Sequence, residues 1–74
     1  MKQYNDVPEL SQVVGTNLKR LLKEWGKTQE DFADEFGADV RTVRRWVKSG
    51  VDKLSLVQQI AEYFNVDVFS ILTK

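Results

Sequence analysis

Two amphipathic helical segments with almost no sequence between them constrain the fold of this chain more than any other feature. The first segment ends before Gly37 and the second is introduced by Asp39, so that Gly37 and Ala38 form the whole connection. Two helices joined by so short a turn must pack against each other at a steep angle. Such a turn favours Gly37, which tolerates a positive φ, and a small residue such as Ala33 where the helices approach.

The residues around the turn fit one packed pair over Gln29–Lys48. Thr28 and Asp39 are typical N-cap residues, whose side-chain oxygens accept the free amide protons of a helix start. We therefore predict a second helix that is capped by Thr28 and a third helix over about 39–48. The large apolar residues that face a common core are Phe32, Phe36, Val43, Trp46 and Val47.

Apolar spacing predicts a first helix that precedes this pair and ends at Gly26. Asp6 and Glu9 resemble a capping box, and Pro8 suits a first helical turn because its missing amide proton would be unpaired there. Gly15 lowers the helix propensity of this segment by about 1 kcal/mol relative to alanine. The apolar stripe of this helix consists of Leu10, Val14, Leu18, Leu21, Leu22 and Trp25.

Two more helices are predicted after the pair. The fourth runs from about Lys53 to Phe64 and ends at Asn65, which tolerates the left-handed conformation. Its inward residues are predicted to be Leu54, Val57, Ile60, Ala61 and Phe64. Asp67 caps a short fifth helix, whose apolar residues are Val68, Phe69, Ile71 and Leu72. No segment shows the alternation of a strand, so the expected fold is all-α: one compact five-helix domain with residues 1–8 as a flexible N-terminal arm.

Composition argues against several classes of function. The chain contains no histidine and no cysteine, and therefore lacks imidazole bases, thiolate nucleophiles, disulfides and the usual zinc ligands. Its 74 residues leave little room for a pocket with a catalytic carboxylate pair. We therefore expect that the protein is not an enzyme and binds neither a metal nor a cofactor. No apolar run approaches the roughly 18 residues of a membrane span, and we expect a cytoplasmic protein with no membrane partner.

Charge is balanced overall but unevenly distributed. The 11 basic and 11 acidic residues give a formal net charge of zero. Residues 24–35 contain five acids and one base, Lys27, whereas residues 39–53 contain five bases and two acids. A neutral protein can thus carry a local basic face, which attracts a phosphate backbone. An ordinary solvated helix surface is the alternative interpretation.

This pattern resembles the Cro and repressor type helix-turn-helix proteins, also called the XRE family. The resemblance covers about residues 14–72. In the helix pair it comprises Thr28–Ala33, Phe36–Asp39, Thr42, Val43 and Trp46. In the flanking helices it comprises Leu18–Glu24, Ile60, Ala61, Phe64–Asp67 and Leu72. It implies a lambda-repressor-like five-helix domain that binds double-stranded DNA and regulates transcription, most often as a repressor.

The resemblance assigns roles to individual residues. The third helix corresponds to the recognition helix, which enters the major groove with its N-terminus first. The positions that face bases are Val40, Arg41 and Arg45. Val40 departs from the polar residue often found there, whereas the forked guanidinium of arginine fits O6 and N7 of guanine. The positions that face the DNA backbone are Thr28, Gln29, Thr42, Arg44, Lys48, Ser49 and Lys53.

The chain departs from the family at two further places. Many relatives have an arginine–glutamate ion pair where this chain has Leu22 and Val47. A joint replacement by apolar residues strands no charge, and such replacements are often neutral or stabilising by about 1–4 kcal/mol. The loop Ser49–Asp52 is also slightly shorter than usual and lacks the usual proline.

The resemblance implies pairing on a palindromic operator, because a single domain makes few contacts with one half-site. We expect a homodimer that is weak or forms only on DNA. Its predicted interface consists of Val68, Phe69 and Ile71. A monomer in which Phe69 folds inward is the alternative, and the residues 1–8 and the loop around Gly50 are further candidate interfaces.

A second functional interpretation is a helix-turn-helix module that binds only another protein, either antitoxin-like or degenerate. The feature that separates the two interpretations is the surface formed by Arg41, Arg44 and Arg45. Three arginines on one exposed surface favour DNA, since a module that binds only protein has no need of them. A nucleoid-associated location follows from the DNA interpretation.

Overall fold

Helices make up most of the chain that the structure describes. The computed structural model describes residues 8–73. The helices are α1 (Pro8–Glu24), α2 (Gln29–Phe36), α3 (Val40–Ser49), α4 (Leu54–Phe64) and α5 (Val68–Leu72). No strand occurs between residues 8 and 73, which confirms the all-α prediction for this part. The Cα radius of gyration is 11.3 Å, about the value of a compact domain of this length.

The helix ends lie close to the predicted positions. α3 starts directly after its predicted N-cap, Asp39, and ends at Ser49, one residue beyond the predicted end. Lys53 likewise precedes α4, and its side chain makes no capping hydrogen bond. Pro8 is the first residue of α1 and is therefore not part of an arm. The remainder of the predicted arm and Asp6 of the predicted capping box lie outside the described residues.

Side-chain caps begin three of the helices, as predicted. The Thr28 hydroxyl accepts a hydrogen bond from the Asp31 amide at 3.0 Å, and the Asp31 carboxylate accepts one from the Thr28 amide at 3.2 Å. This capping box satisfies amide protons that the first turn of a helix leaves free. Asp39 caps α3 by accepting from the Arg41 amide at 2.8 Å, and Asp67 caps α5 at its second residue.

The turn between α2 and α3 is closed by its backbone. Gly37 has φ 84°, in the left-handed region that glycine adopts without steric strain. The amides of Gly37 and Ala38 both donate to the carbonyl of Ala33 at 2.9 Å. Only residues 37–39 separate the two helices, which pack against each other.

An aromatic cluster joins α2 to α3 and α4. Phe32 stacks on Phe36 and on Phe64, with ring centroids 4.9 and 5.7 Å apart. Phe36 meets Trp46 of α3 edge to face at 5.9 Å. α1 packs against α3, α4 and α5 and closes the core. The buried apolar residues are Val14, Leu18, Leu21, Leu22, Phe32, Ala33, Val43, Trp46, Val51, Val57, Ile60, Ala61, Phe64 and Ile71.

Apolar spacing misplaces two side chains at helix ends. Leu54 was predicted to face inward, but it is 44% exposed because it is the first residue of α4 and has no preceding turn to cover it. Trp25 lies beyond the last residue of α1 and is 50% exposed, with its ring edge to face against Phe64 at 5.4 Å.

Leu22 is buried and Val47 packs half-buried against the core, so that an apolar pair suits both positions.

Two other buried residues have no counterpart in the predictions. Val51, in the loop after α3, is fully buried. Asn17 is 5% exposed, and its side-chain amide donates to the carbonyls of Ile71 and Thr73, both at 2.9 Å. Carbonyls at the end of a helix have no amide partner within the helix. Asn17 therefore satisfies the end of α5 and attaches it to α1.

Candidate nucleic-acid interface

One side of α3 is buried and the opposite side carries four cations. Val43 and Trp46 attach α3 to the core, with 0% and 3% of their surfaces exposed. At about 100° of rotation per residue, the cations lie within an arc of about 100° whose centre is opposite these two residues. The exposed cations are Arg41, Arg44, Arg45 and Lys48. Packing of α3 on the core thus turns its basic side outward.

These four cations have no partner side chain among residues 8–73. The salt bridges of that part of the chain join Arg20 to Glu24 at 2.9 Å and Lys27 to Glu35 at 2.8 Å. Neither of them involves α3. An exposed cation without a carboxylate beside it keeps its N–H donors for an external anion.

The three predicted base-facing residues differ in solvent exposure. Arg41 and Arg45 are exposed and lie one helical turn apart on the same side of α3. Arg41 is the second residue of α3 after its N-cap, Asp39, and Arg45 is the sixth. Val40 is half-buried and packs against the core, so that only part of its side chain is accessible. The arginines are therefore the better placed of the three predicted residues.

The seven predicted backbone-facing residues are all exposed or half-buried. Ser49 and Lys53 are exposed at the two ends of the loop between α3 and α4, and Gln29 is half-buried at the first position of α2. Thr28 uses its amide and its hydroxyl oxygen in the capping box, and its hydroxyl proton remains available as a donor. Thr42 is half-buried, whereas Arg44 and Lys48 belong to the exposed basic side.

The acidic residues of α2 are exposed on the side of that helix opposite its buried Phe32 and Ala33. Glu35 accepts hydrogen bonds from Lys27 at 3.0 and 2.8 Å and from the hydroxyl of Tyr63 in α4. These two donors hold the pKa of Glu35 below its ordinary value. Glu35 in turn raises the pKa of Lys27. This cluster links α2 to α4, and no pattern in the sequence indicates it.

One residue of the predicted pairing surface is misplaced. Ile71 is buried, with 1% of its surface exposed, because Asn17 holds the end of α5 against α1. It therefore belongs to the core and offers no surface to a partner. Val68 is half-buried against the core, and Phe69 is 71% exposed. Of the three predicted residues, Phe69 alone presents a large apolar surface.

Neither a metal site nor a membrane span is found in the part of the chain that the structure describes. No three acidic side chains of residues 8–73 come together in a group that could hold a metal ion. None of the helices α1–α5 combines the length and the apolar character needed to cross a membrane.

Comparisons with known proteins leave the geometry as the basis for interpretation. A scan of protein-family models, a search of curated proteins and a search of solved structures each find no match to this chain. The candidate site is thus defined by its own features: an exposed basic side on α3, a tight turn to α2 and a buried side that orients both helices.

Proposed function

We propose that this chain is a sequence-specific DNA-binding regulator of transcription, acting as a repressor, with α3 as the helix that enters the major groove. The observation that carries the proposal is the set of four cations on the exposed side of α3, none of which has a partner side chain among residues 8–73. An α-helix with its side chains is about 10–12 Å wide, and the major groove of B-DNA is about 12 Å wide. The resemblance of residues 14–72 to the XRE family supports the same interpretation.

Within this proposal the cations divide into two roles. Arg41 and Arg45 contact base edges, because they are exposed, lie one turn apart on the same side of α3 and occupy the positions that the resemblance assigns to base contacts. A guanidinium can bind guanine O6 and N7 with two hydrogen bonds. Arg44 and Lys48 flank them and contact phosphate oxygens, which fixes orientation but conveys no sequence. The further phosphate contacts are Thr28, Gln29, Thr42, Ser49 and Lys53.

Zero net charge is compatible with binding a polyanion, since what matters is the potential at the contact surface. Charges more than a Debye length apart, about 10 Å at 0.1 M salt, are largely screened from one another. On the α2 side, Glu35 is engaged by Lys27 and Tyr63, and Asp31 by Thr28. The cations of α3 have no salt-bridge partner among residues 8–73, so that no carboxylate in direct contact neutralises them there.

We further propose that the domain pairs on a palindromic site through Phe69, with Val68 beside it. An aromatic side chain that is 71% exposed on a five-residue helix has apolar surface to bury. The interface is small, and pairing is therefore weak or dependent on DNA. The second candidate function, a module that binds only protein, is also favoured by the exposure of Phe69, but it gives no role to the cations of α3.

Selection of duplexes from a random library, followed by titration of the selected duplex over a range of salt concentrations, tests the proposal. If each subunit of a dimer neutralises about four phosphates, the logarithm of affinity falls with the logarithm of salt with a slope near −7. The double variant Arg41→Gln/Arg45→Gln should abolish selection. The matched control Lys19→Gln/Lys23→Gln removes two exposed cations of α1 and should retain the selected sequence.

Two outcomes contradict the proposal. Either no sequence is enriched and the salt slope is near zero, or both double variants lose selection equally. Sedimentation of the parent and of Phe69→Glu, with and without the selected duplex, tests pairing. Unchanged two-to-one binding by Phe69→Glu would move the interface away from α5.

A further inference from the structure

α1 crosses the end of α3 at a glycine. Gly15 lies in the middle of α1, where glycine is a poor helix former. A Cβ atom built on Gly15 would overlap the carbonyl oxygen of Trp46 and lie 3.1 Å from the Cα of Gly50. Both neighbours are backbone atoms, which cannot turn aside as a flexible side chain can. α3 can therefore lie at its present distance from α1 only because residue 15 has no side chain.

The two residues that follow α3, Gly50 and Val51, also contact α1. A Cβ atom built on Gly50 would lie 2.6 Å from the carbonyl oxygen of Ser11, one turn before Gly15 in α1. That carbonyl accepts a hydrogen bond from the amide of Val51 at 3.1 Å. The side chain of Val51 is fully buried. Close backbone approach, a hydrogen bond and a buried anchor thus join the end of α3 to two successive turns of α1.

We propose that this α1–α3 contact, formed by Gly15, Gly50 and Val51, is a positioning element that sets the orientation of the DNA-reading helix and thereby its discrimination between bases. The inference rests on the function proposed above. Two hydrogen bonds from one guanidinium to one guanine require close alignment, whereas a phosphate contact tolerates a shifted lysine or arginine. Displacement of α3 should therefore weaken binding to the correct sequence more than binding to any other duplex.

The principal test is Gly15→Ala, compared with Thr16→Ala at the exposed next position of α1. The measured quantity is the ratio of affinities for the selected duplex and for a scrambled duplex of equal length, at a temperature where circular dichroism shows both variants folded. We expect Gly15→Ala to lower this ratio by about tenfold or more, which is the loss of about one well-aligned base contact. Its affinity for the scrambled duplex and its salt slope should stay the same. Thr16→Ala should leave the ratio unchanged.

A second pair of variants separates positioning from stability, and decides the matter if Gly15→Ala does not fold. Val51→Ala and Val57→Ala remove the same two carbon atoms from fully buried sites, one at the contact and one in α4. Similar losses of stability are expected for both, but only Val51→Ala should lower the ratio. An unchanged ratio in a folded Gly15→Ala, or an equal fall in both valine variants, would overturn the inference alone. Absence of discrimination in the parent would instead overturn the proposed function, and the inference with it.

Discussion

α2 and α3 lie side by side, each with an apolar side in one shared core and a charged side exposed. Two of the four acids of α2 take part in local structure: Asp31 caps its own helix and Glu35 binds Lys27 and Tyr63. The four cations of α3 take part in none that the described chain shows. The two helices are buried in the same core, but their exposed sides differ in how many charged side chains have a local partner. Charged side chains without a local partner are the better indication of a binding surface.

The largest expected effect tests whether the buried sides are equivalent. Phe32→Ala in α2 and Trp46→Ala in α3 should each reduce the free energy of unfolding by about 3–5 kcal/mol, because both remove a large side chain from the core. Urea denaturation followed by circular dichroism measures this loss. Phe69→Ala, at a site 71% exposed, is the control and should change stability by no more than about 0.5 kcal/mol. A small effect at Phe32 or Trp46 would mean that one helix is not held by the shared core.

The next effect tests the difference between the exposed sides. Arg41→Ala and Arg45→Ala should each weaken binding to the selected duplex by about 1–3 kcal/mol and relax the preference at one base pair. Lys48→Ala should weaken all duplexes alike and reduce the salt slope by about 1. Fluorescence anisotropy with single-base variants of the duplex measures both. If Glu30→Ala on α2 weakens binding as much as Arg41→Ala, the contrast between the two helices is wrong.

A smaller effect concerns what the two helices have in common at their starts. Thr28→Ala and Asp39→Ala each remove a side-chain cap and should reduce the free energy of unfolding by about 1 kcal/mol. Thermal unfolding of both variants provides the comparison. Replacement of Thr28 by serine keeps the hydroxyl and should restore most of the loss. A variant Thr28→Ala as stable as the parent would show that the capping box contributes nothing.

The smallest expected effect is a pH dependence of stability that arises from two carboxyl groups of α2. Thr28 lowers the pKa of Asp31, and Lys27 and Tyr63 lower the pKa of Glu35. A carboxyl with a lower pKa in the folded state stabilises the fold above its unfolded pKa, and this contribution is lost as the pH falls through the folded pKa. Urea titrations should therefore show stability falling as the pH drops below the ordinary values of 4.5 for Glu35 and 3.8 for Asp31.

The variant Glu35→Gln should remove part of this acid dependence, and Lys27→Gln should remove a similar part because it deprives Glu35 of its ammonium partner. Stability that rises as the pH falls through this range would contradict the assignment. Glu35 is exposed and Lys27 is only half-buried, and water and salt therefore weaken the interaction.

Local sequence rules predict the helices and their ends because these depend on bonds between residues close in the chain. Thr28, Asp39 and Asp67 cap their helices through amides two or three residues ahead. Gly37 and Asn65 adopt the left-handed conformation for which their residue types are suited. The exposure of the α3 cations follows from the periodicity that buries Val43 and Trp46, and this part of the candidate site could be predicted as well.

Interactions between distant residues could not be predicted in this way. Lys27, Glu35 and Tyr63 come from a turn and two helices, and their cluster depends on how α2 and α4 pack. The absence of such partners for the α3 cations within residues 8–73 depends equally on packing. Asn17 stands out in the sequence only as a polar residue within an apolar stripe, and its partners lie 54 and 56 residues away.

Local patterns in the sequence were sufficient to predict the five helices, the side-chain caps of α2, α3 and α5 and the apolar side of each longer helix, since periodicity and short-range hydrogen bonds act along the chain. Packing between the helices set the remaining features. α5 has five residues, too few for periodicity to decide its rotation, and its contact with α1 buries Ile71 and leaves Phe69 exposed. Gly15 lowers helix propensity when α1 is considered alone. In the folded protein the backbone at the end of α3 approaches this position so closely that only glycine can be accommodated there. This approach depends on packing between distant parts of the chain.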